Sequence, residues 1–246
     1  MVGMNFTIEH DNVKIPVSRG GHGRPLVLCP GLNTTQADLG ELVELLRQDH
    51  DVVTFDLRGH GLASASDRYT FEAFLGDLDA VMEHLDLDVP PLLVGYSMGA
   101  DLVVHHASEH PGGVAGLVLI DGANPVPEPF VTDDLAPLLR AMWEAAEPGS
   151  LLSVQEIFDL NVEIDEVRSA ILDRYAKIDA PIRTIMSTSM AGDAAAEHAR
   201  RLNANWRAGA ERLAREHPRI ATSWIDADHG LVFTHAPEIA RIIRAC

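Results

Sequence analysis

Apolar residues fall into two alternating patterns along this chain. Short, nearly continuous runs rich in Val, Ile and Leu occur at Pro25–Cys29, Val52–Asp56, Pro91–Gly95, Val114–Asp121, Ile182–Met186 and Ile220–Ile225. Strands covered on both faces of a mainly parallel sheet read this way. Two more strands are predicted ahead of them, Asn5–Ile8 and Val13–Val17, joined by the turn Glu9-His10-Asp11-Asn12. Between the runs, apolar positions recur at helical spacing. Leu39, Leu42, Val43 and Leu46 do so after Thr34-Thr35, and Phe71, Phe74, Leu75, Leu78, Met82 and Leu85 after Thr70, a suitable N-cap. Ile239, Ile242 and Ile243 mark a last helix with Pro237 near its first turn. This alternation predicts an α/β fold: three layers, α/β/α, around an eight-stranded, mostly parallel sheet with right-handed crossovers.

The rhythm breaks between Pro125 and Ala180. No strand pattern occurs there, only amphipathic stretches around Leu135–Glu144, Val154–Leu160 and Glu166–Tyr175, with breakers such as Pro148-Gly149. The expected organisation is a core of residues 1–124 and 181–246 with a small helical cap, 125–180, inserted between two strands. Phe130, Leu135, Leu138, Leu139, Met142, Trp143, Leu152, Ile157 and Phe158 make that insert apolar. Most must pack it onto the sheet; two or three are left to face a pocket.

The chemistry centres on Gly95-Tyr96-Ser97-Met98-Gly99, between the apolar strand end Leu92-Leu93-Val94 and a helix over Ala100–Glu109. So sharp a strand-to-helix turn strains its middle residue and needs small residues two positions to either side, where the chain passes close to itself. The gain is an exposed hydroxyl at a helix N-terminus, where the free amide of Met98 can meet an oxyanion.

With these residues the chain resembles the α/β-hydrolase superfamily. The likeness extends to Val27-Leu28-Cys29-Pro30-Gly31-Leu32, Asp56-Leu57-Arg58-Gly59-His60-Gly61, Leu117-Val118-Leu119-Ile120-Asp121, and Asp228-His229-Gly230 followed by His235-Ala236-Pro237-Glu238. The resemblance implies Ser97 as nucleophile, His229 as its base, and the backbone amide of Leu32 as the second oxyanion donor. Cys29-Pro30-Gly31 stands where His-Gly is common, but the glycine is kept. For the acid the resemblance points to Asp193, after the strand Ile182–Met186, with Asp121 at the end of the preceding strand as the alternative. Asp193 could instead cap a helix beginning at Ala194.

Other candidates read as structural. His60 belongs to the loop after the Asp56 strand, and His235 to packing or the start of the last helix. Cys29 is expected as a buried small hydrophobe. His106-Ala107-Ser108-Glu109-His110 formally matches a reversed zinc-protease pattern, but Pro111 follows at once and no third ligand is evident. It is expected to be a polar helix end. Gly20-Gly21-His22-Gly23-Arg24-Pro25 lacks the Gly-Lys-Ser/Thr ending of a phosphate loop. No dinucleotide fingerprint or metal cluster is evident, so no cofactor or metal is expected.

Composition narrows the partners. The net charge is −18, from 37 acidic and 19 basic residues among 246. Such a surface repels phosphate backbones and anionic membranes. The two cysteines, Cys29 and Cys246, do not suggest a disulfide framework. No signal peptide or membrane-length apolar run is visible, so a cytoplasmic location is the expectation. The expected function is hydrolysis of a small-molecule carboxylic ester or thioester, partly apolar, through an acyl-enzyme intermediate. The alternatives are a C–C bond hydrolase, lyase or perhydrolase on the same residues, or a non-enzymatic ligand-binding member of the fold. The sequence leaves the oligomeric state open.

Overall fold

The computed structural model describes residues 3–145, 149–192 and 197–246. Strands β1 (Met4–His10) and β2 (Val13–Gly21) form an antiparallel hairpin. Its turn residues Asp11 and Asn12 both adopt positive φ, 51° and 61°, the conformation a two-residue hairpin loop demands. The remaining strands are β3 (Arg24–Cys29), β4 (His50–Phe55), β5 (Leu92–Tyr96), β6 (Gly116–Ile120), β7 (Ile182–Ser187) and β8 (Ala221–Ile225). They complete one eight-stranded sheet of order β1-β2-β4-β3-β5-β6-β7-β8, parallel from β4 to β8.

Helices cover both faces. They are α1 (Gly40–Leu46), α2 (Phe71–His84), α3 (Met98–Glu109), α4 (Ala136–Ala145), α5 (Val154–Ser169), α6 (Ile171–Tyr175), α7 (Glu197–Glu216), α8 (Leu231–Thr234) and α9 (Ala236–Arg244). The period-2 alternation of β3 separates two cores. Leu26 and Leu28 pack with α1, α8 and α9; Val27 and Cys29 pack with α2 and α3. Thr70 caps α2 by accepting a hydrogen bond from Ala73 N–H.

Between β6 and β7 the chain runs through α4, α5 and α6. The stretch read as Val154–Leu160 continues through Ser169 as α5, and the stretch read as Glu166–Tyr175 is divided between α5 and α6. Ser153 and Glu156 form a capping box at the start of α5, and the buried seam Ile157, Leu160, Ile164 carries it past the polar residues between. Three acidic or basic side chains then fasten α5 to the rest. Glu163 accepts from Phe71 N–H at the start of α2, Asp165 accepts from Phe130 and Val131 N–H, and Arg168 forks onto Asp101 of α3.

The loop after β4 is fixed by a buried ion pair. Arg58 donates through Nε and Nη2 to both carboxylate oxygens of Asp77 on α2, at 2.8 and 2.7 Å, and both side chains are essentially unexposed. Removing one partner strands a buried charge. Asp77→Ala is therefore expected to cost about 3–5 kcal/mol of unfolding free energy, read from urea melts.

Candidate active site

The strand order reverses at β3, which has β4 on one side and β5 on the other. In an open α/β sheet the crevice beyond the strands' carboxyl ends at such a reversal is the natural ligand site. Ser97 follows β5 there, and the Pro30–Asn33 loop follows β3.

Ser97 sits at φ 52°, ψ −122°, a left-handed backbone setting that costs on the order of 1–3 kcal/mol. The flanking glycines are required by space. A Cβ on Gly95 would lie 2.3 Å from Gly99 O, and one on Gly99 would lie 2.4 Å from Cys29 O. The turn lifts the Ser97 hydroxyl to 2.9 Å from His229 Nε2. The opposite ring nitrogen, Nδ1, is 2.8 Å from Asp121 Oδ2. The carboxylate that meets the imidazole is thus Asp121, the second choice on sequence grounds. Asp193, the first choice, lies outside the described residues. Asp226 and Asp228 are engaged elsewhere, with Thr188 Oγ1 and Gly230 N–H.

Asp121 is fully buried, whereas the His229 side chain is 36% exposed. Each Asp121 oxygen is filled. Oδ1 accepts from Ser187 N–H and Trp206 Nε1–H, and Oδ2 accepts from Ser187 Oγ–H as well as facing His229. His229 is held from two further sides. Tyr96 stacks on its ring at 5.3 Å and donates its hydroxyl to the His229 carbonyl at 2.9 Å. Burial pushes the Tyr96 phenol well up, so it stays a donor. Burial also pushes the Cys29 thiol up, and Cys29 has no exposure, so it is no second nucleophile.

His60 supports the β3 loop. Its Nδ1–H donates to Arg58 O, so Nε2 is free to accept Asn33 N–H at 2.9 Å, one residue past Leu32. The structural role read from its sequence position is thereby made specific, since His60 holds the loop that carries the Leu32 amide. His235 occupies the N-cap position of α9.

Ser97 and His229 open onto a cavity of about 210 Å³ that Leu32 and Met98 also line. Of the apolar insert residues singled out in the sequence, Phe130 and Trp143 reach it. Asn33, Asn161, Ile164, Arg168, Met190 and Trp206 complete the wall. Sequence patterning missed Arg168 and Trp206, because each faces the cavity only through a tertiary partner. Arg168 puts a guanidinium in the wall, and buried Asp101 answers its charge. A larger cavity of about 350 Å³ lies at the opposite sheet edge, against Leu92, Gly116 and Ile182 at the starts of β5, β6 and β7. It has no serine in its wall.

Similarity to known proteins agrees with this geometry. The sequence pattern of the alpha/beta hydrolase fold family matches residues 24–167, more than half of the chain. The chain belongs to that family. It is 36% identical over 104 residues to N-formylmaleamate deformylase of Pseudomonas putida, a match covering 42% of this chain and 38% of that protein. It is 28% identical over 111 residues to esterase YbfF of Escherichia coli, covering 45% and 43%. The chain thus spans less than half the length of these curated relatives. Among solved structures, E-2-(acetamidomethylene)succinate hydrolase superposes with a TM-score of 0.76 at 16% identity, over 99% of this chain and 98% of the other. At that identity the likeness is one of fold.

Two outcomes are expected from this geometry. Trp206→Phe keeps a ring in the wall but shrinks it and deletes the N–H on Asp121. It should lower Tm by several degrees, about 1.5–3 kcal/mol of stability, checked by a thermal melt. Burial depresses the His60 pKa, so the folded protein resists charging it. The stability His60 contributes is present above about pH 6.5, the unfolded value, and is lost as pH falls toward the folded value. Urea midpoints at pH 7 and 5.5 should therefore differ less in His60→Gln than in the unaltered protein.

Proposed function

We propose that this protein is a serine hydrolase that cleaves a carboxylic ester or thioester of a small, partly apolar substrate. The observation that carries this reading is the unbroken relay Asp121–His229–Ser97, with contacts of 2.8 and 2.9 Å, on a strained elbow that opens into a pocket. His229 Nε2 takes the Ser97 hydroxyl proton as Oγ attacks the carbonyl carbon. Asp121 orients the imidazole and stabilises its charged form. The amides of Leu32 and Met98 hold the oxyanion. His229 then hands its proton to the departing alcohol or thiol, leaving an acyl-Ser97. Water, deprotonated by His229, attacks that acyl group, and the acid departs as Ser97 regains its proton.

The pocket bears on substrate size. A cavity of about 210 Å³ is below the usual range for drug-sized ligands and suits a short acyl group. Phe130, Trp143, Ile164 and Met190 favour an apolar portion, and Asn161 and Arg168 offer hydrogen-bond donors to a polar one. A second reading is hydrolysis of a small N-acyl group, which the similarity to a deformylase favours. The same relay serves, with an amine as leaving group.

A panel of p-nitrophenyl esters, acyl thioesters and N-formyl amides distinguishes the two. Turnover is expected to be highest for two- to four-carbon acyl esters, roughly the size this pocket admits. Ser97→Ala should lose turnover by on the order of 10³-fold or more and lose labelling by a fluorophosphonate probe. Undiminished turnover in that variant would refute the scheme.

A further inference from the structure

The segment His106–His110 takes no part in the relay. It ends the helix that begins beside Ser97, a helix of 12 residues and so about 18 Å long. In sequence its two histidines lack a third ligand. Folding supplies one: Asp79 of α2 lies against them, with its Oδ1 at 2.6 Å from His106 Nδ1. We propose that Asp79, His106 and His110 form a binding site for a divalent transition-metal ion of the zinc class, joining α2 to the far end of α3.

Spacing is the first argument. One ligand atom from each residue lies within 4.8 Å of the others. Zinc bonds of about 2.0–2.1 Å set tetrahedral ligands roughly 3.3 Å apart, so the three donors need close by at most about 1.5 Å. Orientation is the second. His110 is anchored by Nδ1 to the His106 carbonyl at 2.9 Å, which leaves Nε2 of its neutral ring with a free lone pair. A ring nitrogen tied to a backbone carbonyl is the usual support of a metal-ligating histidine. The His106 and His110 rings lie 4.3 Å apart and 23° from parallel, so one ring turns out of the stack for both to meet one ion.

Access and chemistry agree. His106 is buried, Asp79 half-buried and His110 exposed, which roots the site in the fold and leaves a side open for water ligands. Two imidazoles and one carboxylate suit zinc, nickel, cobalt or copper better than calcium or magnesium. The net charge of −18 favours cation uptake. Glu109, the remaining polar member of the sequence motif, pairs with Arg174 instead. The site is therefore one of binding rather than hydrolysis.

The test uses the full chain stripped of metal, with zinc ion alone as the probe in equilibrium dialysis at pH 7.5. His110→Ala is the main variant, because an exposed side chain can be removed without loss of folding. Asp79→Asn is the second. The unaltered chain is expected to bind zinc, and each variant to bind it about tenfold or more weakly. Zinc should raise Tm in the unaltered chain and not in His110→Ala, whose metal-free Tm should match the unaltered one. A tetrahedral visible spectrum with cobalt should likewise vanish in His110→Ala. No uptake by the unaltered chain, or equal uptake by the variants, overturns the proposal.

Discussion

Burying a carboxylate costs several kcal/mol unless its oxygens are filled. Asp121 meets that condition with Ser187 N–H, Ser187 Oγ–H, Trp206 Nε1–H and the His229 ring. These partners come from the end of β7, from α7 and from the loop after β8, while Asp121 itself directly follows β6. One buried charge thus gathers the carboxyl ends of three of the eight strands. The backbone of Asp121 adopts a left-handed setting, at φ 47°. The height and tilt of His229, and hence its distance from Ser97, follow from this anchor and from the Tyr96 stacking against the ring.

A second tier of fixed charges sets the pocket wall. Glu163, Asp165 and Arg168 point from one helix to three separate parts of the chain: the start of α2, the Phe130 loop and α3. Arg168 also lies 5.7 Å from the Trp206 ring, between the pocket wall and the Asp121 donor. Because Asp101 answers its charge, the wall offers directed donors without a net attraction for anions. His60 does for the β3 loop what Trp206 does for Asp121. Each is a buried ring nitrogen that satisfies one backbone or carboxylate group beside the crevice.

Much of the fold is legible in the residue pattern. All eight predicted strands form, since a strand covered on both faces can only be written as a continuous apolar run, and the leading hairpin is marked by its turn. The helix boundaries around β6–β7 are less legible. The Val154–Ser169 helix reads as ending at Leu160 because Asn161 and Glu163 interrupt its apolar seam, yet the buried face resumes at Ile164. At the site, Ser97 and His229 are marked by local grammar: a glycine-flanked turn, and a histidine after the last strand.

The carboxylate that meets His229 is not marked in that way. Asp121 and Asp193 both follow strands, and the family resemblance ranks Asp193 first. The Asp121 contact with His229 spans 108 residues and exists only because β6, β7 and β8 lie side by side. Trp206, Arg168 and Asp79 were silent for the same reason. Their sequence signals are those of ordinary amphipathic helices, and their partners lie on other elements. The sequence by itself determined the strands, the elbow with Ser97 and the position of His229, because backbone geometry and hydrophobic period are written locally. Only the tertiary structure decided which carboxylate meets the imidazole, which side chains close the pocket and which residue joins His106 and His110. Those pairings depend on strand order and helix packing, which bring together residues far apart in the chain.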